Sequence, residues 1–521
     1  MAETRCRPFE PGGARGEGDL RAAAAAPEAQ RIRVSVAMAV NSPGDQQSSI
    51  DASCRWPLAA LFLGAAAWLV LGSLLALVAS LHFHSPQLLA GHAWLTYGRL
   101  HAAAVDAQWY GFAIPAALGA ALWIVARLAG QPLRNPLLAI FGAKLWHLGV
   151  LAGVIGILCG DSTGFERLEF PRYAVVLLLL AYLVVGVGIV TAMHDRQDRS
   201  TPLPAAGWMI LAAVFWFPWI AVTANFLLQT QSLRGINQAV TAWWYTSNFT
   251  GVWASLFGLG IAFTLLPQAL RRRLHSDYLV LFTFWTLIAF GGWTGIGPSA
   301  PVPAWMPVLS RVAVFLTVVP LIAVILNCIN TVLSGPGPQE SVSASDLVAG
   351  SFLKFGIRSW ILSGVMAIAA AVPAVSRVTE FTWYNVAGSE LTLYGFLGFT
   401  LMGAAYFIFP RVLGIDWVKP GLIRLQFGLA LAGLVLAVVP LVIGGILQGS
   451  RVRQADIPFV DIARSMLPFL RASTMGDLLV LLASLLWLGN LAGLVAAWAR
   501  KHCVPACRAL TADAQTAEVR P

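Results

Sequence analysis

The chain has 521 residues, of which 58% are hydrophobic and 11% charged, and its mean hydropathy is +0.73. A water-soluble domain carries about 25% charged residues, so a soluble globular protein is excluded and most of this surface must face an apolar medium. The formal net charge of +10, from 34 Lys plus Arg against 24 Asp plus Glu, falls in short segments between apolar runs. That is the distribution of a positive-inside membrane protein, not of a nucleic-acid binder.

Residues 1–55 are rich in Gly, Ala and Arg, lack periodicity and read as a disordered leader. Their apolar stretches are too short for a signal peptide, and Met38 is an alternative start. Twelve apolar runs follow, each long enough to cross ~30 Å of hydrocarbon. They are placed at 56–81, 103–128, 136–158, 172–193, 206–229, 240–266, 278–298, 305–334, 350–374, 388–410, 423–448 and 475–499. The expected fold is an all-α integral membrane bundle of about twelve transmembrane helices over residues 56–500, with a cytoplasmic tail at 501–521. The 48 glycines suit close helix packing in lipid.

Loop charge predicts the orientation. Arg271, Arg272 and Arg273 follow the sixth run, Arg411, Lys419 and Arg424 the tenth, and Arg500, Lys501 and Arg508 the twelfth. These put that side, and both termini, in the cytoplasm. Arg451, Arg453, Arg464 and Arg471 after the eleventh run count against it. Trp243, Trp244, Tyr245, Trp383 and Tyr384 at span ends read as interfacial aromatics. Residues 334–348 read as a flexible Gly- and Ser-rich connection that includes Asp346, with Lys354 just beyond it.

Cys54, Cys159 and Cys328 lie in or beside apolar runs and read as small hydrophobes. Cys503 and Cys507 form one C-x-x-x-C pair, a weak metal signal, and no C-x-x-C-H motif is present, so covalently attached c-type haem is not expected. Ionisable groups inside a membrane are costly and default to function, which singles out Asp106 and Glu390. Gln108, Asn248 and Gln229 can hydrogen bond between helices. His147 reads as a buried, hydrogen-bonded imidazole.

Four collinear segments carry a resemblance: Leu95-Thr96-Tyr97-Gly98-Arg99-Leu100, Trp243-Trp244-Tyr245-Thr246-Ser247-Asn248, Gly403 to Pro410, and Gly444-Gly445-Ile446-Leu447-Gln448-Gly449. Together they resemble subunit I of the haem–copper oxidases, specifically the cbb(3)-type cytochrome c oxidases, over roughly residues 56–500. The resemblance implies reduction of dioxygen to water with electrons from cytochrome c, at haem and copper held by six histidines. One comes from helix two, one from helix six, and two each from helices seven and ten.

The eight histidines here are His82, His84, His92, His101, His147, His194, His275 and His502. None lies between His194 and His275 or between His275 and His502, the intervals that hold helices six, seven and ten. The resemblance puts Ser247, Ser299 and Ala300 at the copper positions and Ala104, Gly388 and Glu390 at the haem positions. His101, one turn before Ala104, is the remaining candidate ligand in helix two, or else an interfacial polar residue. The redox tyrosine of helix seven is missing too, since no Tyr lies between Tyr278 and Tyr384.

A bundle that has lost this site must refill it, and Phe249, Trp253, Trp285, Trp293 and Phe396 are the expected fillers. Asp106 and Glu390 are expected to share a polar pocket at the former low-spin haem position, unless each is a lone hydrogen-bonded carboxyl. Glu166 and Glu169 read as loop anchors. The expected function is a catalytically degenerate subunit I-like scaffold or accessory subunit in a bacterial inner membrane, with no haem or copper. Its expected partners are lipid and a membrane-anchored cytochrome c-type or other respiratory subunit. Two alternatives stay open: a working oxidase core with haem b, copper and unconventional ligation, or a proton, ion or small-solute transporter using the vacated cavity.

Overall fold

The computed structural model describes residues 43–230, 233–333 and 343–518, with side chains for 44–502 among them. The leader up to residue 42, Met38 included, and the side chains of Cys503, Cys507 and Arg508 lie outside the described residues. The chain divides at residue 49; the described part of the first unit, residues 43–49, is helical, and the second unit begins at Ile50.

Among the described residues, twelve helices of at least 15 residues follow one another: α1 Pro43–Leu81, α2 Tyr97–Ala129, α3 Pro136–Cys159, α4 Arg172–His194, α5 Ala205–Gln229 and α6 Ile236–Ala269. Then come α7 Asp277–Gly291, α8 Trp305–Leu333, α9 Ala344–Ala371, α10 Trp383–Leu413, α11 Pro420–Val452 and α12 Phe459–Glu518. Eleven are long and apolar enough to cross a membrane, so the protein is an integral membrane bundle. The sequence supplies both kinds of boundary. Pro sits in the first turn of α3 and α11, where its missing N–H costs nothing. Gly130 and Gly414 end α2 and α10 at φ of 67° and 65°, a left-handed turn only glycine makes freely.

Three helices form the centre. The apolar windows of α2, α6 and α10 are 89%, 83% and 94% buried, against 33–56% for the other eight long helices. The same three each contain a π-helical turn, at Ala107–Ala113, Asn248–Trp253 and Leu391–Gly398. Such wide turns are frequent at functional sites.

Several expectations need correction. Residues 43–55, read as disordered leader, belong to α1. Helix α7 stops at Gly291 instead of residue 298, because Gly291-Gly292 is followed by Gly295 at φ 109° and by Gly297-Pro298, which cannot propagate a helix. At 1.5 Å per residue its 15 residues cover about 22 Å. Asp346 is not in a flexible connection. It is 3% exposed, sits in the first turn of α9 behind the Ser343 cap, and pairs with Arg411 at 2.9 Å. Of the expected fillers, Phe249, Trp253 and Phe396 are fully buried, whereas Trp285 and Trp293 are about 60% exposed. The latter two lie on and just after α7, an outer helix that is apolar all round, so composition does not say which of its faces turns inward.

The interior is aromatic. Tyr245, Phe249 and Trp253 stack along α6 with centroids 5.6 and 5.0 Å apart, and Trp109 and Tyr110 of α2 meet Phe249 at 5.2 and 5.5 Å. Tyr245 is therefore core, not interfacial. Helices α11 and α12 cross at Gly433 and Gly476, where a Cβ on Gly433 would sit 2.9 Å from the Val480 nitrogen. Asp477, the residue after Gly476, lines a cavity together with Ala76, Ala79 and Ser80 of α1.

Candidate functional site

Helix α10 divides two cavities. Glu390 lines one and Gly388, two residues earlier, lines the other. Because these are the two haem positions of helix ten implied by the resemblance, the chain keeps a space on each side of this helix. Ala104 of α2 lines the same cavity as Glu390, so helices two and ten do face each other across it.

The Glu390 cavity has an inner part of about 60 Å³ and an outer part of about 600 Å³, which share His101, Val105, Trp383, Val386 and Glu390 in their walls. Around the inner part stand Ser80, Gln108, Tyr394, Ser473 and Asp477. An aromatic cluster flanks it: Phe83 lies 5.3 Å from Tyr97 and 5.8 Å from Trp383, and the His101 ring stacks on Tyr97 at 5.5 Å. The outer part is lined by Glu166, Arg167, Glu169, Ser389 and Gln448. Gln448 also accepts the Trp383 N–H at 3.2 Å.

Asp106 is not in the wall of the inner cavity. It is fully buried, and no N–H or hydroxyl reaches either carboxylate oxygen. The group facing it is the Glu169 carboxyl, and two such acids hydrogen bond only by sharing a proton. Burial pushes the Glu169 carboxyl up from its ordinary range, with Arg167 acting against the rise. The expected Asp106–Glu390 pocket is thus not formed: Asp106 faces Glu169, and Glu390 shares the inner cavity wall with Asp477. Sequence reading missed Asp477 as a site residue. The intramembrane-acid rule finds it, but it is only the third residue of the predicted 475–499 span, where an acid passes as a boundary residue.

Arg167 organises the loop before α4. Its backbone is left-handed, at φ 64°, and its side chain is nearly buried. The guanidinium donates to Ser389 Oγ at 2.7 Å and lies 5.6 Å from the Trp109 ring centre. Its carbonyl accepts from the Tyr110 hydroxyl, which in turn is 2.7 Å from the Tyr245 hydroxyl. Glu166 is held at its backbone oxygen by Thr246, 3.1 Å away. Glu166 and Glu169 therefore anchor the loop and also face the outer cavity.

At the copper positions the donors are hydroxyls. Ser247 Oγ lies 2.5 Å from Thr294 Oγ1, while Ser299 is in the loop after α7 and donates to Glu380 Oε1 at 2.8 Å. The structure therefore pairs Ser247 with Thr294, not with Ser299 or Ala300. Asn248 donates to the Trp244 and Gly292 carbonyls, and Gln229 to Asn225. His147 packs against Gly64, its Nε2 3.2 Å from the Ala60 carbonyl. The second cavity, about 380 Å³, is lined by Thr250, Gly251, Trp360, Gly388, Ser389 and Thr392 among others. Neutral hydroxyls are poor ligands for copper, which imidazole and thiolate suit, and glycine and alanine side chains offer haem iron no donor atom. This donor set does not fit the haem–copper centre, although His101 and Glu390 remain in one cavity.

The family model described as Cytochrome C and Quinol oxidase polypeptide I matches residues 57–479. The chain is 24% identical over 477 residues to the cytochrome c oxidase subunit 1 of Rhodobacter capsulatus, covering 87% of this chain and 88% of that protein. It is 25% identical over 368 residues to the Cbb3-type cytochrome c oxidase subunit CcoN1 of Stutzerimonas stutzeri, covering 68% and 76%. A cytochrome c oxidase subunit 1 homolog of Agrobacterium tumefaciens is 24% identical over 447 residues, covering 81% and 80%.

Proposed function

Because the chain belongs to the cytochrome c and quinol oxidase polypeptide I family and yet carries hydroxyl, methyl and carboxyl groups at the ligand positions, we propose that it is a non-catalytic member of that family. It serves as a cbb(3)-type subunit I-like scaffold or accessory subunit of a respiratory complex, and binds neither haem nor copper. The observation that carries this reading is the Ser247–Thr294 hydroxyl pair together with the absence of any histidine between His275 and His502. Loss of one ligand tunes a site; loss of the set removes it. The buried aromatic stack of Tyr245, Phe249 and Trp253 supports the same reading, because it fills the centre of the bundle with side chains.

The protein sits in a bacterial inner membrane, with both termini cytoplasmic by the Arg271–Arg273 and Arg500–Lys501 charges. The partner is a membrane-anchored cytochrome c-type subunit or another respiratory subunit. A second reading, transport of a proton, ion or small solute, draws on the Glu390–Asp477 cavity. The test is the reduced-minus-oxidised absorption spectrum of the detergent-purified chain, with haem, copper and iron per polypeptide. No bands and no stoichiometric metal are expected. Haem near one per chain overturns the proposal in favour of an oxidase core with unconventional ligation, with His101 and Glu390 as the first residues to replace.

A further inference from the structure

We propose that residues 160–171, the loop between α3 and α4, form a pH-sensitive strap on the outer cavity. It is closed while Asp106 and Glu169 hold at least one proton between them and released when both are ionised. The proposal does not depend on what occupies either cavity. The strap is the cavity wall at Glu166, Arg167 and Glu169. Behind it the carboxyl groups of Asp106 and Glu169 face each other. Asp106 is fully buried, and neither of its oxygens nor Glu169 Oε2 receives a hydrogen bond from an N–H or hydroxyl of the protein. A proton between them satisfies both groups. Without it, buried acceptors stand unmet and two like charges lie side by side away from water.

The strap is held at a few points. Arg167 Nη2 donates to Ser389 Oγ of α10 at 2.7 Å, the Tyr110 hydroxyl of α2 donates to the Arg167 carbonyl, and Thr246 of α6 donates to the Glu166 carbonyl at 3.1 Å. Thr163 Oγ1 donates to the Leu168 carbonyl at 2.6 Å, so residues 163–168 move as a unit. The closed form also carries strain. Arg167 sits at φ 64°, a region that a residue other than glycine keeps only while its surroundings hold it, and its buried Nε has no acceptor. Release relaxes that backbone, wets the nitrogen, and opens the outer cavity of about 600 Å³ and both carboxylates to water. Ionisation acts in two steps. After the first, one carboxylate still accepts its neighbour's O–H, and Arg167 faces the charge. The second removes that hydrogen bond and leaves two anions together. Tyr110 of α2 and Tyr245 of α6 also face the pair, as does Glu166, 3.9 Å from Arg167. His101 of α2 and Glu390 of α10 face Arg167. Phenols and guanidinium titrate at about pH 10 and above, which leaves Glu166, His101 and Glu390 as the rivals to separate.

The experiment is hydrogen–deuterium exchange of the full-length protein in nanodiscs, from about pH 5 to about pH 9, a range that lies above the ordinary carboxyl value of about 4. Each peptide's rate is divided by that of an unstructured peptide of the same sequence at the same pH, which removes the chemical dependence of exchange. Protection of residues 160–171 is expected to fall at least about tenfold across the range, while the flanking helices α3 and α4 keep theirs. Flat protection in the strap, or an equal fall in both helices, overturns the proposal without any variant. Glu169→Gln and Asp106→Asn are each expected to keep the strap closed across the range, because the new amide donates to the carboxylate left beside it. Ser389→Ala, which removes one point of attachment, is expected to move the fall to lower pH. A fall that persists in both amide variants, or that disappears in Glu166→Gln, His101→Gln or Glu390→Gln instead, overturns the proposal.

Discussion

The pair Asp346–Arg411 joins the start of α9 to the end of α10 and gives a stability prediction with a magnitude. Asp346 Oδ1 is 2.9 Å from Arg411 Nη2, and the two side chains are 4% and 29% exposed. At an effective dielectric of about 20, unit charges at that separation attract by about 6 kcal/mol before desolvation is counted. Removing one partner of a buried pair costs about 3–5 kcal/mol. The partial exposure of Arg411 moves Asp346→Asn to the lower end, about 2–3 kcal/mol by the same reasoning. The helix cap is untouched, because Ser343 Oγ accepts the backbone N–H of residue 346.

Arg411→Gln should cost more, since Arg411 also donates to the Phe407 carbonyl at 2.7 Å and lies 3.5 Å from the Phe407 ring centre. The double variant should be little worse than Arg411→Gln alone, a coupling of about 2 kcal/mol. The assay is unfolding of the four proteins in mixed micelles with increasing SDS fraction, followed by circular dichroism. A coupling below about 0.5 kcal/mol would refute the reasoning, because exposed, screened pairs give values that small.

Two further outcomes are expected. Tyr110→Phe removes the hydroxyl that links Arg167 to Tyr245 and should cost about 2 kcal/mol. It should also speed hydrogen exchange in residues 160–171, and unchanged exchange there counts against the bridge. Burial raises the Glu169 carboxyl above its ordinary range, against the opposing pull of Arg167, so the folded chain holds this proton more tightly than the unfolded chain, whose glutamate releases it above about pH 4.3. Its contribution is therefore full on the acid side and is lost as pH rises from there through the raised folded value. Glu169→Gln should flatten that fall in a pH series of melting temperatures; an unchanged slope rejects it.

The spans were legible because each apolar run had to be long enough to cross hydrocarbon, and a run of that length has one economical conformation. What periodicity does not carry is sidedness. Trp285 and Trp293 look the same in sequence as Phe249 and Trp253, yet they end on the outside because α7 packs at the rim. Asp346 read as loop because its neighbours are Gly- and Ser-rich, and its partner lies 65 positions away at Arg411. The missing histidines were plain from where the eight histidines fall along the chain. The cavity wall that Asp477 shares with Glu390 was not, since the two residues lie 87 positions apart and on different helices.

The three π turns bear on what this bundle tolerates. A π turn holds one residue more than an α turn, and each residue along a helix rotates the following side chains by about 100°. Deleting a single residue within Ala107–Ala113, Asn248–Trp253 or Leu391–Gly398 would let the turn tighten to α. Everything beyond it would then swing by about 100° relative to what precedes it, carrying the half of α10 beyond Gly398 off its seat against α9 and α11. Exchanging a side chain on the same stretch leaves the winding as it was. The centre of this fold is therefore strict about how many residues pass through it and permissive about which ones. That asymmetry lets a serine, a glycine or a glutamate stand where the resemblance implies an imidazole while the helices keep their places.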